Sequence, residues 1–311
     1  MTFAPEVKAQ MTSINASKII VKPEYPKAYE QVTISIEDYS IDLNTQTMSW
    51  AVNGAQKQSG IGLKTYTFSV GALGTSYKVS VSAGSKSYNV TVRPTEVDVI
   101  WEAADSYVPP FYEGKALFPN QGMIIVSAIP HIFTSEGTRL DPKNLVYKWK
   151  KAGGAVPDQS GYGKDSIVIT GAFLGKPTTY SVEISSMDGA YKAFGTAYVE
   201  ETRPVVTLYE NDPLYGVEYE RAFNDKTIAL EGDEMELTAV PYFFSTNASF
   251  NPLSFIWSMN NGKITNNTAK SITLRREGAN GFSTINVMAK HATNVIQMSR
   301  GKTTIDTTGN N

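Results

Sequence analysis

One short pattern, met three times, constrains what this chain can fold into. Met48-Ser49-Trp50-Ala51-Val52-Asn53-Gly54 returns as Tyr147-Lys148-Trp149-Lys150-Lys151-Ala152-Gly153 and again as Phe255-Ile256-Trp257-Ser258-Met259-Asn260-Asn261, with the tryptophans 99 and 108 residues apart. Self-similarity at a fixed period means copied structural units, each with its own small core. Two further echoes keep the same phase: Gln58-Ser59-Gly60-Ile61-Gly62 against Gln159-Ser160-Gly161-Tyr162-Gly163, and Arg93-Pro94 against Arg203-Pro204. A chain of 311 residues accommodates three such units of ~100 residues each.

The units are built of strands. Val32-Thr33-Ile34-Ser35-Ile36, Tyr77-Lys78-Val79-Ser80-Val81, Tyr88-Asn89-Val90-Thr91-Val92, Tyr180-Ser181-Val182-Glu183-Ile184 and Ile285-Asn286-Val287-Met288-Ala289 all alternate apolar with polar residues. Period-two alternation places one face against a core and one in water, as in antiparallel sheets. Asn53-Gly54, Gly153-Gly154, Asp188-Gly189 and Asn261-Gly262 supply the positive φ of tight connections. Helical spacing occurs only at Val7, Met11 and Ile14, too short a run to form a stable helix.

A large aromatic in mid-strand, followed by a turn, fills the ~10 Å between two packed sheets. Trp50, Trp149 and Trp257 are therefore expected in the core and not on a sugar-stacking surface. Strand C of immunoglobulin-type sandwiches carries such a Trp. The expected fold is all-β: three tandem immunoglobulin-like β-sandwiches in an elongated row. Proline gives no N–H to a ladder, so Pro94 and Pro204 mark the boundaries. The expected division is an N-terminal extension over 1–19 and sandwiches over 20–94, 95–203 and 204–311. The joins are short, which limits bending.

Composition excludes several function classes. With 28 Lys+Arg against 30 Asp+Glu the formal charge is −2, so no basic field exists to hold nucleic acid. The longest apolar runs, such as Met123-Ile124-Ile125-Val126, fall far short of a membrane-spanning helix. The absence of cysteine removes disulfides, thiolate nucleophiles and Cys-based metal sites. No cofactor motif is present. His131 and His291 stand in different units, with no metalloprotease helix, nucleophile elbow or phosphate-cradling loop around them, and both read as strand-end packing positions. The chain is not expected to be an enzyme.

Two sets of residues remain as candidate sites. Glu102 and Glu210 recur beside the Arg-Pro pairs, where carboxylates from neighbouring sandwiches could share Ca²⁺, or could simply accept backbone N–H groups or pair with the joint Arg. Glu102 with Asp105, Glu210 with Asp212, and Asp233 with Glu234 and Glu236 are the acidic pairs a glycosidase would require. The second set is aromatic. Tyr107, Phe111 and Tyr112, beside Pro109 and Pro110, are echoed by Tyr215 and Tyr219 after Pro213-Leu214. Rings held by prolines can form a platform for a protein or glycan partner, or can plug the seam between sandwiches; recurrence at one place in the repeat favours the seam.

The Tyr147-x-Trp149-x-x-x-Gly153 pattern resembles the central strand of polycystic-kidney-disease (PKD-like) repeats, without their acidic continuation. Pro23-Glu24-Tyr25-Pro26, Tyr39 to Asn44, Ser59 to Gly62, Glu96 to Ala103 and Ser106 to Leu117 are similar to a group of uncharacterised exported multi-sandwich proteins of small-genomed candidate-phylum bacteria. The resemblance implies export and a cell-surface or envelope location, with no catalytic residues to carry over. Because a leader normally precedes the first sandwich in that group, a trimmed mature chain is expected. The resulting expectation is a non-enzymatic, rod-like spacer or interaction module. The alternatives are an adhesin or carbohydrate-binding protein, or a subunit of a pilus-like appendage or phage virion.

Overall fold

The computed structural model describes residues 17–173, 175–246, 252–265, 268–278 and 280–308. The helical spacing at Val7, Met11 and Ile14 lies outside them, as do the last three residues of the tail.

The protein is three tandem immunoglobulin-like β-sandwiches. In the first, β1 (Ser17–Lys22), β2 (Gln31–Asp38), β3 (Thr47–Val52), β4 (Ala55–Ile61), β5 (Thr65–Ser69), β6 (Tyr77–Ala83) and β7 (Lys86–Val92) form two antiparallel sheets, ordered β1-β2-β5 and β4-β3-β6-β7. The second repeats this plan with β8 (Glu96–Ala103), β9 (Met123–His131), β10 (Val146–Lys151), β11 (Gly154–Ala155), β12 (Gly161–Tyr162), β13 (Ser166–Thr170), β14 (Thr178–Ser185) and β15 (Lys192–Val199). Its sheets run β13-β9-β8 and β11-β10-β14-β15, with β12 also on β10.

The third sandwich contains β16 (Val205–Asp212), β17 (Gly216–Val217), β18 (Thr227–Ala229), β19 (Glu234–Tyr242), β20 (Leu253–Met259), β21 (Gly262–Lys263), β22 (Ser271–Arg275), β23 (Phe282–His291) and β24 (Met298–Asp306). Here β17-β16-β19-β22 faces β18-β24-β23-β20-β21. One pairing has no counterpart strand among the described residues of the first two sandwiches: β18 lies parallel to β24.

The alternating pattern aims each core. On β2 it buries Val32, Ile34 and Ile36, and on β6 Val79, Val81 and Ala83. Three separate apolar clusters result, each centred on one tryptophan: Trp50, Trp149 and Trp257 are 0%, 1% and 0% exposed. Burying such a ring removes enough apolar surface for ~4–6 kcal/mol of transfer free energy.

A buried indole N–H needs an acceptor, and the repeat supplies the same one three times. Trp50 Nε1 donates to Leu63 O (2.7 Å), Trp149 Nε1 to Lys164 O (2.8 Å) and Trp257 Nε1 to Ala269 O (2.9 Å). Each carbonyl lies two residues before the next strand of the opposite sheet, β5, β13 or β22. The tryptophan therefore ties the two layers together by packing and by one buried hydrogen bond.

Across the inner face, each tryptophan heads a row. Trp149 pairs with Val182 and Val182 with Gly195; Trp257 pairs with Val287 and Val287 with Gly301. At Gly195 a Cβ would lie 2.7 Å from Val99 Cγ2 and 2.8 Å from Val97 Cγ1, because β8 crosses directly over β15. At Gly301 a Cβ would lie 3.3 Å from Leu208 Cγ on β16. The first sandwich breaks the rule. Its row runs Trp50, Val81, Tyr88, and the Tyr88 hydroxyl donates to the buried Asp38 carboxylate, which Lys86 and Ser40 also hold.

Candidate functional site

Most sequence-predicted site residues fall on or near the two joints between sandwiches. At the first joint the contacts are made by side chains. Arg93, just past β7, donates from Nη1 to Ala190 O (2.9 Å) and sits 4.7 Å over the Tyr191 ring. Tyr25 stacks on Phe194 with centroids 5.8 Å apart. Burial, with Glu183 and Glu24 nearby, pushes the Tyr25 phenol up to about 12. One main-chain bond joins the same region, Thr95 N to Pro26 O (2.9 Å).

The second joint is bonded through the main chain. Tyr107 N donates to Phe244 O (2.8 Å), Phe243 N to Tyr107 O (2.7 Å) and Thr246 N to Asp105 O (2.7 Å). The loop after β8 thus pairs with the chain leaving β19. Beside it Gln297, 0% exposed, accepts from Ser245 N (2.8 Å) and donates to Asn120 O (2.6 Å) and Ser245 Oγ (2.8 Å). A buried amide with its oxygen and nitrogen both engaged fixes its neighbours, since leaving either unpaired costs ~1–3 kcal/mol.

Aromatic rings flank this ladder. Tyr112 lies edge-on to Tyr242 and to Phe243, with centroids 5.9 Å away in each case. Tyr209 meets Tyr219 at 5.5 Å and shares a 2.8 Å hydroxyl hydrogen bond with Tyr242. Burial raises the phenol pKa of Tyr107, Tyr219 and Tyr242; neighbouring Tyr hydroxyls add to the rise at Tyr219 and Tyr242. These phenols stay protonated near neutral pH, with no charge to offer as base or nucleophile.

Of the five aromatic candidates, the structure brings Tyr107, Tyr112 and Tyr219 together at this joint. It leaves Phe111 (92% exposed) and Tyr215 (83% exposed) in water. The loop that follows the first joint in sequence lies at the second joint in space. Strand β8 is eight residues long, about 26 Å at ~3.3 Å per residue, and carries the chain to the far end of its sandwich.

The same geometry carries Glu102 and Glu210 away from the Arg-Pro pairs. Glu102 is exposed near the end of β8, beside the Lys115 ammonium that stands over the Trp101 ring at 3.2 Å. Glu210 is half-buried on β16, its pKa raised by burial and by Glu218 and partly offset by Arg221. Among the described residues no three His, Cys, Asp or Glu side chains cluster to hold a metal ion. Asp105 accepts from Met123 N, and Glu234 pairs with Arg275. His131 bonds Asp98 at 3.0 Å, and His291 Nδ1 accepts from Asn294 N (2.8 Å). Arg93, placed at the joint by the repeated Arg-Pro, is found there; sequence reasoning missed Gln297 and Phe194 as joint residues, and the lone Gln297 had no signal.

No family model and no curated protein sequence matches the chain. Among solved structures it is similar to the three N-terminal domains of the bacteriophage RB49 highly immunogenic outer capsid protein, at 12% identity over 94% of this chain and 97% of that one, TM-score 0.26. It is also similar to the central fibronectin-III array of RIM-binding protein (11% identity, 94% and 96%, TM-score 0.30) and to fibronectin(III)-like modules of Clostridium thermocellum CbhA (11% identity, 60% and 94%, TM-score 0.29). Scores this low transfer neither partner nor activity to this chain.

Proposed function

We propose that this protein is a non-enzymatic, exported surface or envelope module whose work is spatial: it holds three sandwiches in a defined order and presents their outer surfaces to a protein or glycan partner. The divisions at Pro94 and Pro204 belong to this reading, with sandwiches over 20–94, 95–203 and 204–311. Its main support is where the aromatic side chains go. Tyr107, Tyr112 and Tyr219 pack at the second joint, with Tyr242, Phe243 and the buried Gln297, and a joint that packs side chains and pairs backbone resists bending. Export and an envelope location follow the resemblance to exported multi-sandwich proteins.

A second reading, adhesion, draws on Phe111 and Tyr215. Phe111 is 92% exposed and adopts φ +64° after Pro109-Pro110, a conformation that favours glycine. An exposed ring fixed in such a turn is suited to docking, whether on a glycan, an appendage or a virion. Small-angle scattering on the wild type, Tyr112→Ala and Tyr219→Ala separates the readings. Spacing predicts a broadened interdomain distance distribution in both variants. Unchanged scattering, with binding on a glycan array that Phe111→Ala and Tyr215→Ala abolish, would replace spacing by adhesion.

A further inference from the structure

Among the described residues the first sandwich is open where the third is closed. In the third, β18 runs parallel to the end of β24, pairing Thr227 with Thr304, Ile228 with Ile305 and Ala229 with Asp306. Thr304 N donates to Lys226 O and Leu230 N to Asp306 O, both at 2.9 Å, while Ile228 and Leu230 are buried at the sandwich edge. In the second, Phe118–Asn120 meets the chain farther on, past the end of β15: Thr202 N donates to Phe118 O, Asn120 N to Thr202 O, and Phe118 is 1% exposed. In the third sandwich the connection between β16 and β19 supplies the plug.

The first sandwich has no strand in the place of β18 among the described residues. Its connection runs only from Lys22 to Gln31, and its bond from Thr95 N to Pro26 O stands where Thr202 N meets Phe118 O. Counting along each row from Tyr88 and Gly301, the counterparts of Thr304, Ile305 and Asp306 are Thr91, Val92 and Arg93. Those three residues line a groove of about 500 Å³ between β1 and β7.

The edge of β7 is prepared for a strand. Lys78, opposite Thr91, uses its N–H on Asn53 Oδ1 (2.9 Å) and its C=O on Asn53 N–H (2.8 Å). Thr284, opposite Thr304, does the same with Asn260. Ladder alternation then turns the main-chain groups of Thr91 outward, as it turns those of Thr304 toward β18. At the groove end, Thr95 Oγ1 and Arg93 Nε are buried with no hydrogen-bond partner among the described residues, and Thr95 is only 5% exposed. The charges lining the groove are Lys18, Arg93 and Lys192 against Glu24 alone.

We propose that this slot binds an extended strand of an acidic partner protein, laid parallel to β7 along Thr91–Arg93. An apolar side chain of the partner enters between the sheets, as Ile228 does in the third sandwich, and a neighbouring carboxylate faces Lys18, Arg93 and Lys192. Main-chain bonds supply affinity and the alternate side chains supply specificity. The inference does not depend on the spacer reading, since a joint can be stiff or loose with this edge occupied.

A fluorescein-labelled peptide of the chain's own Asp225–Gly232 sequence carries this chemistry, and anisotropy titration with the full chain tests it. The expected result is saturable binding, weakened about tenfold by Thr91→Pro, which removes one donor at an edge where proline is tolerated. Lys192→Glu and high salt should weaken it too, and Ile228→Asp within the peptide should abolish it. An unchanged melting curve for Thr91→Pro shows that the sandwich still folds. No saturable binding, or equal binding to Thr91→Pro, overturns the proposal. So does a dimer in sedimentation that Thr91→Pro dissolves, which gives the slot to a second copy. Binding seen only with a chain beginning at Ser17 also overturns it, by giving the slot to residues 1–16.

Discussion

The two joints differ in what spans them. Between the second and third sandwiches, backbone at 105–107 pairs with backbone at 243–246 and a buried amide locks the corner. Between the first and second, among the described residues, an arginine that stacks on a tyrosine and bonds Ala190 O, one aromatic stack and one main-chain bond bear the contact. The cause is the length of one connection. The second sandwich spends residues 104–122 between its first two strands, the first sandwich only 23–30. A longer loop adds little closure entropy and can reach both its own edge and its neighbour. One short connection thus gives the molecule a softer joint.

The largest expected effect comes from removing a pillar. Trp149→Ala should cost ~3–5 kcal/mol. If the second joint couples its sandwiches, hydrogen exchange at β20 and β23 will rise with that at β10 and β14, while β3 and β6 stay protected. Independent protection of the third sandwich would break the comparison. Gly195→Val transplants the first sandwich's bulky row into the second. With its Cβ inside 3 Å of Val97 and Val99, it should destabilise by ~1–3 kcal/mol and lift β8 from β15. Gly301→Ala, starting from 3.3 Å contacts, should be milder in a thermal melt.

Gln297→Ala strands Ser245 N and Asn120 O, so ~1–3 kcal/mol and a looser second joint by scattering are expected. Arg93→Ala removes a cation–π contact of ~0.5–1 kcal/mol and the exposed hydrogen bond to Ala190 O at the first joint. It should reorient the first sandwich in residual dipolar couplings while hardly moving the melting curve. A larger stability loss from Arg93→Ala than from Gln297→Ala would reverse the ranking of the joints.

Acid should separate the ends by pH. Burial lowers the His291 pKa, so its neutral form favours folding and that contribution is lost as pH falls below the ordinary value of ~6.5. Asp38 is held well below the usual carboxylate range by Lys86, Ser40 and Tyr88, so its contribution persists until pH falls below ~4. Amides of 292–297 should therefore gain exchange between pH 7 and 5, and those of β2 and β7 only below that window.

The fold was legible because it rests on local, repeated signals. Alternation announced the strands and the three tryptophans announced the cores. Each indole landed in its own cluster with an acceptor in the same place. The candidate site was less legible. Tyr107, Tyr112 and Tyr219 could be picked out by their repeat, but nothing near them in the chain says that they meet Tyr242 and Phe243, or that Phe111 and Tyr215 face water. Gln297 carries no pattern; its importance comes from groups up to 177 positions away.

What the sequence by itself determined is the unit: periodicity of two, turns rich in glycine and asparagine, and an indole in mid-strand are short-range causes, and they operate alike in each copy. What only the tertiary structure decided is how the copies differ. Tyr88 in a glycine's place and a connection cut to residues 23–30 look minor in a line of letters. They matter because β1 and β7 meet only after the two sheets have folded face to face, and the free edge at Thr91–Arg93 is a property of that meeting.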